Sequence, residues 1–220
     1  VKGDKLFIHE WHIRAANQSL ELLLPGIKSS QGRYVITIAG ESGSGKSEVA
    51  AALSEALSQH NTKSVILQQD DYFVYPPKTN ENMRRENIGH VGMSEVHLDL
   101  LDRNLKDALT GESSISKPLV IFDEDRITKE TVDLEGIKVI IVEGTYTTTL
   151  KNAHQHIFID RSYIDTLEAR RHRARETQDE FLERVLKIEH EIIQPQKARA
   201  NIIITRDYEA KRNEPENEQP

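Results

Sequence analysis

An α/β fold, with a mostly parallel sheet covered by helices on both faces, follows from three observations. From residue 34 onward, short β-branched apolar runs alternate with helical patterns, the signature of βαβ units. The first of these runs, residues 34–39 (YVITIA), leads at once into Gly40-Glu41-Ser42-Gly43-Ser44-Gly45-Lys46-Ser47, which satisfies G-x-x-x-x-G-K-[ST] in full. A helical run, SEVAAALSEAL, comes immediately after, so the glycine-rich loop joins a strand to a helix. Together these predict a P-loop NTPase fold.

Each element has its own reason. Residues 9–24 read as a helix, with Trp11, Ile13, Ala16, Leu20, Leu23 and Leu24 at helical spacing and Pro25-Gly26 as the stop. Residues 1–33 are therefore expected to form a helical extension on a main domain of residues 34–208. Residues 34–39 are a buried strand, 47–59 a helix and 64–69 (SVILQQ) a second strand. A loop rich in Pro, Asn and Arg follows, then a helix over 94–109. Residues 119–122 form a short strand, 137–142 (IKVIIV) carry the strongest β signal, and 156–159 form another strand. Residues 162–175 and 179–193 read as helices, and 201–205 as the last strand. The ending KRNEPENEQP is polar and proline-containing, so residues 209–220 are expected to be a disordered tail.

Composition narrows the function classes. The chain has 220 residues and only 5% aromatics, so one domain must be built on an aliphatic core. The absence of cysteine excludes disulfides, thiolate zinc sites and a cysteine nucleophile, and fits a reducing compartment. A net charge of -7 argues against a broad nucleic-acid-binding face. No apolar run approaches the ~20 residues that span a bilayer. The start VKGDKLFIHEW carries charges inside its apolar stretch and does not resemble a secretory signal. The expectation is a cytoplasmic protein with neither nucleic acid nor membrane as partner. A homo-oligomer is compatible with the sequence.

The loop at Gly40–Ser47 has a physical reading at every position. Glycines let the backbone wrap a phosphate without Cβ clashes, and successive N–H groups then form an anion nest. The following helix adds its positive end. Lys46 is placed to reach the β- and γ-phosphates, and the Ser47 hydroxyl to ligate Mg²⁺. His9 and His12 do not make an H-E-x-x-H zinc site, because position 13 is isoleucine.

Three classes of nucleotide-binding protein compete. A GTPase needs N/T-K-x-D, which is absent; Asp133-Leu134-Glu135-Gly136 precedes a strand instead of following one and reads as an acidic turn. The LSGGQ signature of transport ATPases is absent too. Positive features favour phosphoryl transfer to a small molecule. Asp70-Asp71-Tyr72-Phe73 ends the second strand, and Val142-Glu143-Gly144 ends the strongest one, so carboxylates face the mouth of the loop. Arg170, Arg171, Arg173 and Arg175 cluster as a candidate lid over the phosphates.

The order GESGSGKS, QQDDYF, ENIGH, LLDRNLKDALTGE, VIIVEGTY, ARRHRARETQD and IIQPQKARANIII resembles the phosphoribulokinase/uridine kinase family of P-loop kinases over about residues 34–206. The resemblance implies a kinase that uses ATP and Mg²⁺ on a small hydroxylated acceptor. It makes Asp70 the base, with Asp71 as the alternative, and Glu143 the acidic residue near Mg²⁺. It makes Arg170 and Arg171 the lid arginines, with Arg173 and Arg175 in reserve, and places Tyr72, Phe73, His90 and Arg126 on the acceptor side. The alternative is a regulatory nucleotide-binding protein that has lost transfer.

The acceptor half departs from the family. Where uridine kinases carry N-F-D-H-P-D, this chain reads Asn87-Ile88-Gly89-His90-Val91-Gly92, with glycine at both acidic positions. The segment Pro118–Arg126 lacks the family's tyrosine and histidine. Uridine is therefore expected to be a poor acceptor, and a small alcohol with an anionic group met by Arg84, Arg85 or Arg126 a better one.

Overall fold

The computed structural model describes residues 6–173 and 179–214. In chain order the elements are α1 (Glu10–Ser29), β1 (Tyr34–Gly40), α2 (Lys46–Gln59), β2 (Ser64–Gln68), α3 (Pro77–Glu86), α4 (Leu98–Leu109), β3 (Ser114–Ile121), β4 (Arg126–Asp133), β5 (Val139–Glu143), β6 (Gln155–Ile159), α5 (Leu167–Arg173), α6 (Glu180–Ile193), β7 (Ile202–Ile204) and β8 (Ala210–Arg212). The main sheet runs β2-β5-β1-β6-β7-β8, parallel throughout except for the antiparallel β7–β8 pair. Strands β3 and β4 form a separate antiparallel hairpin.

Period-two alternation along the strands divides the core into two layers. Ile36, Ile38, Ile141, Ile157 and Ile204 face α1 and α2 on one side. Val35, Ala39, Ile140, Val142, Phe158 and Ile203 face Leu101, Leu105 and Ile193 on the other. Both faces of β1 and β5 are buried, which is why these strands are almost wholly apolar, with Thr37 inside β1 and Glu143 at the end of β5 as buried polar exceptions.

Several expectations are corrected. Helix α1 runs through Pro25 to Ser29, because buried Leu23 and Ile27 hold both sides of the proline in one stripe. Gly26 serves as a close-approach position: a Cβ there would collide with the Tyr34 hydroxyl. The loop after β2 contains α3, whose first turn is capped from far away. The Asp125 carboxylate, in the β3–β4 turn, accepts from Lys78 N at 2.7 Å, Thr79 N at 3.2 Å and Thr79 Oγ1 at 2.7 Å. Helix α4 begins at Leu98, since Met93–Glu95 form a 3₁₀ turn instead. The short strand expected at 119–122 is a full hairpin, whose second strand is too exposed and charged to announce itself. The tail also starts later than expected: Ala210–Arg212 pair with β7, and Ala210 N donates to Gln18 Oε1 on α1 at 2.8 Å.

His12 on α1 is buried, and its Nδ1 accepts from His9 N at 3.1 Å. Burial, aided by His9 and Arg161, pushes its pKa down to about 4. A depressed histidine binds fewer protons folded than unfolded, so its contribution is complete above the ordinary value of 6.5 and is lost as the pH falls toward 4. His154 and His156 shift the same way through burial. Thermal melting followed between pH 7 and pH 4 is expected to show a falling midpoint, with a shallower fall in His12→Asn. An equal slope in the variant would show that His12 does not contribute.

Candidate active site

Register brings three strand ends to one place. Glu143 at the end of β5 lies opposite Ile38 of β1 and Gln68 of β2, so the phosphate loop, Glu143 and the Asp70 turn share one mouth. Within the loop, Gly43 and Gly45 hold positive φ of 75° and 90°, which a side chain would strain. Gly45, at the N-cap of α2, supplies no side-chain acceptor for the first-turn N–H groups, so these donors face the loop as an anion site. Ser44 N donates back to Glu41 O at 3.1 Å, and Lys46 Nζ donates to the same carbonyl at 2.9 Å.

The Glu41 side chain turns away from the mouth. Its buried carboxylate accepts from Tyr163 N at 2.6 Å and Gln194 Nε2 at 3.2 Å, and lies 2.7 Å from His190 Nδ1. It thus ties the loop to α6, a contact that no local pattern signals. Ser42 is held at its carbonyl by Thr166 Oγ1, 2.8 Å away.

Ser47 Oγ donates to Glu143 Oε1 at 3.0 Å. Burial, then the neighbouring Asp70, push the Glu143 carboxyl up to about 7, against the opposing pull of Lys46 and Ser47. Lys46, Ser47, Asp70 and Glu143 line one cleft of about 430 Å³. Asp71 does not join them. It is buried, bound to Lys117 Nζ at 2.6 Å and Val120 N at 3.0 Å, and pins the β3–β4 hairpin to the end of β2.

The expected acceptor residues divide. Phe73 lines the cleft. Tyr72, expected beside it, is in the core: the 3₁₀ turn Gln69–Tyr72 rotates it inward, Asn104 Nδ2 donates to its hydroxyl at 2.9 Å, and burial raises its pKa to about 12. His90 does not line the cleft but reaches Asn80 Oδ1, 3.3 Å away, and Asn80 does line it. Arg126 is a correction as well: it is exposed at the start of β4 and pairs with Glu124 at 2.8 Å.

Arg84 and Arg85 do reach the cleft, and both meet carboxylates there. Arg84 donates to Glu95 Oε2 and to Glu189 Oε1, each at 2.9 Å. Glu95 is fully buried and also accepts from Asn80 Nδ2 at 2.8 Å and Gly92 N at 2.7 Å. Arg85 pairs with Glu81 at 2.7 Å and Asp179 at 3.2 Å, and lies over the Phe181 ring. Sequence reasoning missed Glu95, Lys117, Glu189 and His190, whose partners come from other elements. Of the lid candidates, Arg170 packs against Gly43 and donates to Thr166 Oγ1 at 2.6 Å, whereas Arg171 is exposed and pairs with Glu168. Arg175 and the side chain of Arg173 lie outside the described residues.

A phosphate loop at the carboxyl ends of a parallel sheet, with a hydroxyl and carboxylates converging beside its lysine, defines a P-loop phosphotransferase. The family model of the phosphoribulokinase/uridine kinase family matches residues 35–211. The chain belongs to that family. It is 30% identical over 185 residues to a uridine kinase of Leuconostoc citreum, spanning 77% of this chain and 86% of that protein. It is 28% identical over 193 residues to the bifunctional alpha-galactosidase/sucrose kinase AgaSK of Mediterraneibacter gnavus, 81% of this chain but only 21% of that longer protein. Among solved structures, D-glycerate 3-kinase from Cryptococcus neoformans superposes with a TM-score of 0.62 at 14% identity, over 93% of this chain and all of that one. A possible uridine kinase from Bacillus stearothermophilus gives 0.59 at 19% identity, over 85% and 97% of the two chains. These two likenesses speak to the fold alone. Among the described residues no helix is long and apolar enough to cross a membrane.

Proposed function

We propose that the chain transfers the γ-phosphoryl group of ATP to a hydroxyl of an uncharged, hydroxyl-rich small molecule of saccharide type. The observation that carries the choice of acceptor is the pairing of Arg84 and Arg85 with carboxylates. The other arginine expected to meet an anion, Arg126, does not line the cleft. The same cleft presents the rings of Phe73, Tyr75, Phe122 and Phe181, with Asn80, Glu189 and Lys78 among its polar groups. Rings of that kind cover the apolar faces of a sugar, while amide and carboxylate groups take its hydroxyls. The sucrose kinase among the relatives and the glycine at position 89 point the same way.

In this reading Lys46 holds the β- and γ-phosphates, and Arg170 stands beside the loop to balance transferred charge. Asp70 accepts the proton of the attacking hydroxyl. The donor set for a cation is hard oxygen, Ser47 Oγ and the Glu143 carboxylate, and a buried carboxyl near a second one fits a site completed by a divalent ion. Mg²⁺ bound there would neutralise phosphate charge and orient the donor.

ADP release from Mg·ATP across an acceptor panel tests this. Sucrose or another neutral saccharide is expected to be turned over, and uridine roughly 10–150-fold less well in kcat/KM for want of the ribose-holding carboxylate. Glycerate, pantothenate and a pentose phosphate are expected to give no release above background, and chelation should abolish all activity. A preferred anionic acceptor would refute the acceptor assignment while leaving the kinase intact.

A further inference from the structure

Helix α1 lies before residue 35, where the family match begins, yet its first turn touches the phosphate loop. A Cβ on Gly45 would stand 2.7 Å from the Tyr208 hydroxyl and 3.0 Å from His12 Nε2. Tyr208 also donates its hydroxyl to Ser44 O at 3.0 Å, and His12 meets its ring edge-on at 4.8 Å. Beside these two rings runs an open groove lined by Glu10, Trp11, Arg14, Arg161, Asp207 and Tyr208. The Arg161 guanidinium lies over the Tyr208 ring at 4.8 Å. Trp11 stacks on His9 at 4.3 Å and remains 43% exposed at this rim.

The strand order says which part of a nucleotide would meet this groove. Asp70 follows β2 and Glu143 ends β5, so both stand on one side of β1. Arg161 follows β6, and residues 205–209 join β7 to β8, on the other side. In-line transfer places acceptor and leaving group on opposite sides of the γ-phosphorus. With the acceptor at Asp70, the diphosphate and nucleoside extend away from β2 and β5, toward the β6–β8 side. There they meet the first turn of α1 and the loop at 205–208. A half-exposed indole beside an arginine is the surface on which a base stacks, and it accepts any base because each has a π-face.

We propose that this groove receives the nucleobase of the donor nucleotide, with Trp11 as the stacking residue supplied by the N-terminal helix. The inference rests on the kinase reading above for the direction of the donor, and it assigns α1 a role in binding as well as in packing.

Trp11 is the single tryptophan of the chain, so intrinsic fluorescence reports on it alone. The full chain is titrated with Mg·ADP and, separately, with inorganic tripolyphosphate, which offers phosphates without a base. Mg·ADP is expected to quench the emission, and tripolyphosphate to leave it unchanged while still displacing ADP. By calorimetry, Trp11→Ala should weaken ADP roughly tenfold or more and leave tripolyphosphate affinity at the parent value, with Trp11→Phe recovering most of the loss. Parent-like ADP affinity in Trp11→Ala would overturn the proposal. Equal weakening of both ligands would also overturn it, since that marks a damaged loop and no base contact. If the parent bound neither ligand, the donor-site reading would fall first and this inference with it.

Discussion

Replacing Lys46 by alanine is expected to lower kcat by about 10³-fold or more. The lysine is the cation of the cleft nearest the loop: its Nζ is held by Glu41 O at 2.9 Å and it opposes the raised Glu143 carboxyl. In a low-dielectric site, a charge fixed beside the phosphates acts far more strongly on the transition state than it would in water. The side chain is only partly buried, so its loss should leave the fold intact. Steady-state ADP release, with a thermal melt to confirm folding, measures both effects. Near-parent turnover by a folded variant would show that the loop does not carry the transferred phosphates.

Asp70→Asn and Asp71→Asn are expected to fail in different ways. Asp70→Asn keeps the side chain's size and removes the proton acceptor, which typically costs about 10²–10⁴ in rate. ADP affinity and stability should change little. Asp71→Asn leaves Lys117 buried with a weakened partner, and Glu130, 3.0 Å away, compensates only in part. Breaking one side of a buried pair is strongly destabilising, here roughly 2–4 kcal/mol, read from the denaturant midpoint. Its activity per folded molecule should stay far above that of Asp70→Asn. The reverse pattern, with Asp71→Asn stable and inactive, would move the base by one residue.

The candidate site was legible in the sequence where its chemistry is local. Gly40–Ser47 announced itself because a phosphate cradle is made of consecutive backbone groups. Asp70 and Glu143 could be placed at this mouth because each stands at or just past the end of a strand with a clear apolar run. Tyr72 was misread beside them because one 3₁₀ turn decides which of two neighbouring residues faces the cleft. Arg84 looked available for an anionic acceptor because its partners Glu95 and Glu189 lie 11 and 105 residues away in the chain. Arg85 has one distant partner, Asp179, 94 residues away, but its shorter pair is with Glu81 one helical turn before it, which helical spacing could have signalled.

The same division runs through the fold. The near-continuous apolar runs of β1 and β5 and the periodicity of α2 and α6 are properties of short windows, and they determined the layered parallel sheet, while the family resemblance rested on the ordered motifs from Gly40–Ser47 onward. Strand β4, the cap that Asp125 supplies to α3, the passage of α1 through Pro25 and the pairing of β8 were decided only by the tertiary structure. Each depends on a hydrogen bond or a packing contact with a segment distant in the chain, whose cost and gain no local pattern of residues contains.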